Sequence, residues 1–448
     1  MSELFDFLKY CLGAKSDENK VIAGIDWQML YSFASKQALL GLCFDGIERL
    51  GKEYPEELKL NPIGRELLMT WMGKAQQIRR QNVKVNGVAA KLYSKFREDG
   101  LRCCILKGQG NALMYPNPYS RTSGDIDVWV NASREQITEY AKKHFEIGDD
   151  IRFHHLETSF DGVPVELHFF PGIMNNPIYN VRLQKWFKRN ADLQCSNVVS
   201  LPDGIGEIAI PTTAFNVVYQ LTHLYHHFFD EGIGMRQIID YFLVVNDFSK
   251  NVFLDTDFSN HPVPLSKEGS TSTPSPSSSE GGDVTALRCS EPLRYKDGGA
   301  SKPSPNCAGW DRLGMEGDSS ATSCSSTASY SSSAVTLEVI QRDLKYLGLW
   351  KFAGAVMYVL HEALGLSEEK MIAPMDEKRG KLLLSEILNG GNFGKHFSKY
   401  GHFTQQGMAK KYFLKIWRNM HFVRYYPAEA LCEPLFRTWH FLWRMWQK

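Results

Sequence analysis

The sequence predicts an α+β fold, a small strand-bearing core set between an N-terminal and a C-terminal helical region. Three observations carry this. Apolar residues recur at helical spacing over the first hundred residues. Between residues 99 and 172 the period shortens to strand-like runs bounded by Gly, Pro and Asp-Gly, and from about Pro211 helical spacing returns.

Each element follows from local signals. In "IDWQMLYSFASKQALLGLCFDGIERL" the apolar side chains share one helical face, and Asp26 can accept the first free backbone amides. A long helix is expected from about Arg65 to Gly100, where a glycine ends it. "LRCCILK", residues 101–107, is a short buried-strand pattern, "GNALMYP" a short helix or turn stopped by Pro116 and Pro118, and "DIDVWV" a second strand. Residues 133–147 are expected to be helical. "IRFHHLETSF" and "VPVELHFF" are then two strands of a hairpin turning at Asp161-Gly162. Beyond Pro211, "TAFNVVYQLTHLYHHFF", "GMRQIIDYFLVVNDF" and "VTLEVIQRDLKYLGLWKFAGAVMYVLHEALG" read as helices. The expected organisation is a helical region at 1–98, the core at 99–172, a helical region at 173–259 and another at 335–448. Residues 260–334, with runs such as "STSTPSPSSSEGG", lack periodic apolar residues, so a disordered insertion interrupting one helical domain is expected there.

Composition narrows the function classes. At 448 residues the chain can build two or three domains, and its 43% hydrophobic and 23% charged residues suit a water-soluble protein. A net charge of +1 gives no global field for nucleic acid or an anionic membrane, so nucleic acid is not indicated as a partner. The nine cysteines include no C-x-x-C pair and are expected to be reduced thiols. The N-terminal stretch has no uninterrupted apolar run with a cleavage site, and no later run suits a bilayer span; a cytoplasmic location is expected.

One stretch carries chemistry. "SGDIDVWV" places Asp125 and Asp127 inside an apolar strand, where acids are rare and costly without a compensating partner such as a metal ion. At i and i+2 they share a face, about 6–7 Å apart. Apolar neighbours suggest burial on both faces, which puts the pair near the strand's start, at a rim. Glu166 of "PVELHF" lies in the strand expected to pair beside this one, and three converging carboxylates can hold one or two Mg²⁺ ions. Lys107 ends the first strand ahead of Gly108, Arg121 precedes Asp125 by four positions, and Gly124 is expected to let the chain turn tightly into the strand. A plainer reading makes Asp125 a turn cap, Asp127 an exposed edge residue and Glu166 the partner of a surface lysine. The order "LKG", "RTSGDIDV", "VELH" on alternating strands favours the site.

Histidines form a rival cluster. His223, His226 and His227 fall at i, i+3 and i+4, a spacing that can bind a transition metal. The adjacent His-Asp pair of HD-type phosphohydrolases is missing, so a structural or acceptor-lining role is expected, with Arg236 and Asp240 pairing at i, i+4. His168 shares a face with Glu166 and could touch substrate; His154 and His155 are weaker candidates. In "EPLFRTWHFLWRMWQK", Trp439, Leu442, Trp443 and Trp446 suggest a packed amphipathic helix, whose Arg437 and Arg444 could face a membrane or a polyanion, though nothing requires it.

The segments "ILKGQGNALMYPNPYSRTSGDIDVWV", "VELHFF" and "HLYHHFFDEGIGMRQIIDYFLVV" together resemble bacterial uncharacterised nucleotidyltransferases of the DNA polymerase β type superfamily, over roughly residues 25–250. The resemblance implies a polymerase-β-like core, a short mixed sheet with flanking helices. It implies that Asp125 and Asp127 are paired metal ligands, that Glu166 is the third carboxylate, and that Lys107, Gly108, Arg121 and Gly124 surround the phosphates. Two Mg²⁺ ions, a nucleoside triphosphate and a hydroxyl acceptor of unknown identity are implied, with pyrophosphate as product. One departure stands out: the superfamily's Gly-Ser pair after the first strand is replaced by Gly108-Gln109-Gly110, which puts the mode of triphosphate binding in question. Alternatives on the same scaffold are a non-catalytic, partner-binding protein and a fukutin-like glycan phosphotransferase.

Overall fold

In the computed structural model, which describes residues 2–14, 24–259, 335–396 and 408–447, a mixed five-stranded sheet has helices on both faces. Helices α1 (Ser2–Cys11), α2 (Trp27–Lys36), α3 (Leu40–Glu53) and α4 (Pro55–Leu60) precede the 34-residue α5 (Arg65–Glu98). Asp26 caps α2 as expected, accepting from the Gln28 and Met29 amides. The helical run from Ile25 to Leu50 is broken between α2 and α3, where Ala38 takes a positive φ of 58°. Gly100, φ 76°, follows α5.

The core runs β1 (Cys103–Leu106), α6 (Gly108–Ala112), β2 (Ile126–Val130), α7 (Arg134–His144), β3 (Glu146–Ile151), β4 (His155–Phe160) and β5 (Val163–His168). The sheet order is β1-β2-β5-β4-β3, with β2 and β5 parallel and the other neighbours antiparallel. Asp161 and Gly162, both at positive φ (49° and 67°), make the two-residue turn of the β4–β5 hairpin. Residues 146 and 147, expected at the end of a helix, instead open β3. This outermost strand, "EIGDDI", is polar and irregularly registered, as a sheet edge allows, so it has no clean alternation to read.

Side-chain alternation splits the sheet. Ile126, Val128, Val130, Val165 and Leu167 join one apolar core with Val85, Ala89 and Phe96 of α5 and Ile137 and Ala141 of α7. The other face of β2 carries Trp129, which packs into a separate helical core and stacks on Phe215 at 5.9 Å between ring centroids. Asp127 shares the face of Trp129.

Region 173–259, expected to be helical, contains α8 (Pro177–Ser196), α9 (Thr213–Asp230) and α10 (Met235–Ser259) but also a hairpin, β6 (Val198–Ser200) and β7 (Glu207–Ala209). Its strands are three residues each, too short to leave a periodic signal. The insertion expected at 260–334 lies outside the described residues. Helices α11 (Leu337–Tyr346), α12 (Trp350–Leu364) and α13 (Glu377–Gly390) share one core with α1, α2, α3 and α9.

Helices α14 (Met408–Met420), α15 (Pro427–Ala430) and α16 (Cys432–Gln447) finish the unit. They cap α9: Arg418 and Asn419 donate to the Phe228 and Phe229 carbonyls, and Lys415 and Arg437 both reach Asp230. Arg437 is therefore committed internally. The apolar stripe of α16 is only partly packed: Trp439 and Trp443 meet Phe153 edge-on, whereas Leu442 is 52% and Trp446 91% exposed. Among the described residues no helix is long and apolar enough to cross a membrane.

Candidate active site

The parallel register of β2 and β5 sets Asp127 opposite Glu166, and Asp125 precedes β2 by one residue. Directly opposed carboxylates repel. Neighbouring cations offset this. Lys107 Nζ lies 3.0 Å from Asp127 Oδ1, and His168 Nε2 lies 3.0 Å from the same oxygen and 3.3 Å from Glu166 Oε2. Lys107 is held there by an uncommon backbone conformation, φ 51° and ψ −125°, at the turn from β1 into α6, and its ammonium also contacts His223 Nε2 at 3.2 Å.

These contacts set the protonation states. Burial opposes ionisation of Asp127, but the Lys107 charge and the His168 hydrogen bond and charge hold its carboxyl well below the usual range. Burial also works against a charged His168, and its bonds to Asp127 and Glu166 overcome that, raising it to about 9. Glu166 is lowered in turn, its burial outweighed by His168. Asp125 reaches solvent at the rim, yet protein walls it on most sides; this desolvation, with Asp127 and Glu166 nearby, pushes it up to about 6.

The loop leading into the acids is clamped from several helices. Asn82, fully buried on α5, donates to the Tyr119 and Arg121 carbonyls at 2.8 and 2.7 Å. Thr122 donates to the Ala38 carbonyl, and Arg236 Nη1 donates to the Thr122 carbonyl at 2.8 Å. Arg121 is 5% exposed and grips Asp240 through two bonds of 2.8 and 2.7 Å, with Tyr115 donating to the same carboxylate. The pair expected between Arg236 and Asp240 is thus replaced by a long-range one: Arg121 approaches from across the core and presents the fork that fits a carboxylate.

Two clefts open on the acids. The first, about 400 Å³, is lined by Lys107, Gly108, Thr122 to Asp125, Asp127, Arg236 and Lys395, with Arg121 in its wall. The second, about 300 Å³, is lined by Asp125, Asp127, Glu166, Arg152 and the imidazoles of His154, His155, His168, His223, His226 and His227. Lys107, Asp125, Asp127, His223, Phe393 and Lys395 border both. Gly124 lines the first cleft without a positive φ, and a Cβ there would meet nothing within 4 Å. Gln109 is buried with its amide donating to Asn86.

Sequence reasoning undervalued His155. It is 3% exposed, lies opposite His168 in the β4–β5 register, and forms with Glu166 and His168 a candidate metal-binding group whose ligand atoms all lie within 4.8 Å of one another. The signal was present: counting back equally from a two-residue Asp161-Gly162 turn puts His155 opposite His168 and Glu157 opposite Glu166. His223 and His227 are kept neutral chiefly by burial, with nearby positive charge adding to it.

No curated protein matches the chain. Among solved structures it is similar to the crystal structure of an antigenic nucleotidyltransferase-like protein from Paracoccidioides brasiliensis, at 17% identity over 39% of this chain and 85% of that one, with a TM-score of 0.25. Residues 23–258, more than half of the chain and the span that carries all three acids, match the family model described as "Uncharacterised nucleotidyltransferase", and the chain belongs to that family.

Proposed function

We propose that the protein transfers a nucleoside monophosphate from a nucleoside triphosphate to a hydroxyl acceptor, forming a bond from the acceptor oxygen to the α-phosphorus and breaking the bond from that phosphorus to the pyrophosphate. The observation that carries this reading is the set of acids at the junction of two clefts: Asp127 and Glu166 in register on adjacent strands, with Asp125 one residue before.

The donor set suits Mg²⁺. It offers hard carboxylate oxygens, and the burial and crowding by Asp127 and Glu166 that together raise Asp125 are what a divalent cation would offset. Asp125, Asp127 and Glu166 would hold it, and two such ions would supply Lewis-acid activation of the acceptor and neutralisation of the leaving pyrophosphate. The remaining work falls to the chain. Lys107, Arg236 and Lys395 make a cationic wall for the triphosphate in the first cleft, while Gly108 and Gly124 leave room for phosphates close to the backbone. Arg121 positions the loop through Asp240 and keeps one buried nitrogen, Nη1, without a hydrogen-bond partner among the described residues. The second cleft, walled by imidazoles and Arg152, receives the acceptor, whose proton Glu166 can take because it is ionised.

The test uses triphosphates labelled at the α-phosphate, with Mg²⁺ and a cell extract as the source of acceptors. Wild type is expected to transfer label and release pyrophosphate, and Asp127→Asn to lose at least about 10²-fold in rate. Equal transfer by the two chains would overturn the assignment.

A further inference from the structure

One strand beyond the acids, the polar face of the sheet holds a second set of donors. His155 Nδ1 lies 3.2 Å from Glu166 Oε2, and His168 Nε2 lies 3.3 Å from the same oxygen. The hairpin register places the two imidazoles directly opposite each other, and the rings lie 5.1 Å apart between centroids. These atoms approach a common point from two rigid strands, which is how a preformed ligand set is built.

His155 is the residue that calls for a ligand. It is 3% exposed, and neither of its ring nitrogens has a hydrogen-bond partner among the described residues; its close approach to Glu166 lacks hydrogen-bond geometry. A buried polar group left unpaired costs about 1–3 kcal/mol, so native structures rarely keep one idle. A cation at Nδ1 would satisfy it. Behind it, Glu157 Oε1 stands 3.8 Å from His155 Nε2, beyond hydrogen-bond distance, and is itself tied to Arg152 at 3.1 Å.

The donor chemistry selects the ion. Two imidazole nitrogens and one carboxylate oxygen suit first-row transition metals such as zinc, manganese or cobalt, whereas Mg²⁺ favours oxygen alone. We propose that His155, Glu166 and His168 bind one divalent transition-metal ion in the second cleft, beside the Asp125–Asp127 pair and with a different donor set. Three protein ligands leave coordination positions for a water or substrate oxygen from that cleft. The site needs none of the nucleotidyl-transfer chemistry, but it meets it at two residues: Glu166, and His168, whose Nε2 also lies 3.0 Å from Asp127 Oδ1.

Co²⁺ is the probe, since its visible d–d absorption reports nitrogen ligation. Titrated into the full chain, it is expected to bind one equivalent with such bands. His155→Gln and His168→Gln should each weaken that binding at least about tenfold, while Asp125→Asn leaves the spectrum unchanged and abolishes transfer. The metal site and the transfer reading therefore fail separately. X-ray absorption on Co²⁺-loaded wild type supplies a readout that does not depend on a folded variant, and two imidazole scatterers are expected. An all-oxygen shell, or a His155→Gln chain that keeps the wild-type spectrum and affinity, would overturn the proposal.

Discussion

At the scale of single residues, Lys107 links the strain of the backbone to the charge of the site. A non-glycine residue at φ 51° is uncommon, and here it aims the ammonium at Asp127 rather than at solvent. Lys107→Met keeps the length of the side chain but removes the charge. Under the proposed reading it should raise KM for the triphosphate and lower kcat by about 10²-fold, and it should also lower the melting temperature, because buried Asp127 loses a cation that offsets its charge; steady-state rates against triphosphate concentration and thermal melts check this. How far such residues could be read beforehand differs. Asp125, Asp127 and Glu166 were legible because acids at strand spacing violate local preference and so announce themselves. Arg121 was legible as a residue but not in its bond, since nothing local says that it will cross the core to Asp240. The i, i+4 spacing of Arg236 and Asp240 offered a nearer, incorrect partner.

Among elements, long helices and the β4–β5 hairpin were legible from periodicity and from Asp161-Gly162, while β3, β6 and β7 were not: two are three residues long and the other is a polar edge. The C-terminal helices were legible as helices, but their docking was not. Part of that docking rests on Glu429 of α15, which is 1% exposed and accepts from the backbone amides of Asn175 and Asn176, beside the wall of the second cleft. Burial pushes its carboxyl from 4.5 up to about 7, outweighing the amides that favour the ionised form. The folded state then binds the proton more tightly than the unfolded chain. The contribution is fully present below the ordinary carboxyl value and fades as pH rises from 4.5 to about 7. Over that window the loss is about 3 kcal/mol. Melting temperature followed against pH should fall through it in wild type, and Glu429→Gln should flatten that segment of the curve.

For the whole molecule, the described residues before position 260 and after position 334 belong to one compact unit. Ile340, Leu344, Phe352 and Val356 share a buried core with Phe7, Leu30 and Tyr219, so the two ends complete one interior. Replacing residues 261–333 by a Gly/Ser linker is expected to leave the melting temperature within a few degrees of wild type; a large drop by calorimetry would show that the segment supports this core. The α+β class was visible from the sequence because the change of period at residue 99 is abrupt, but the junction of two clefts was not, since it depends on how α9, α10 and the Asn392–Gly394 turn close over the sheet. That junction bears on kinetic order. Because both clefts open on the same carboxylates, donor and acceptor can occupy the protein together, so the proposed reaction should run through a ternary complex. Double-reciprocal plots at varied acceptor would then intersect, whereas parallel lines would mean that the nucleotide is first handed to the protein itself.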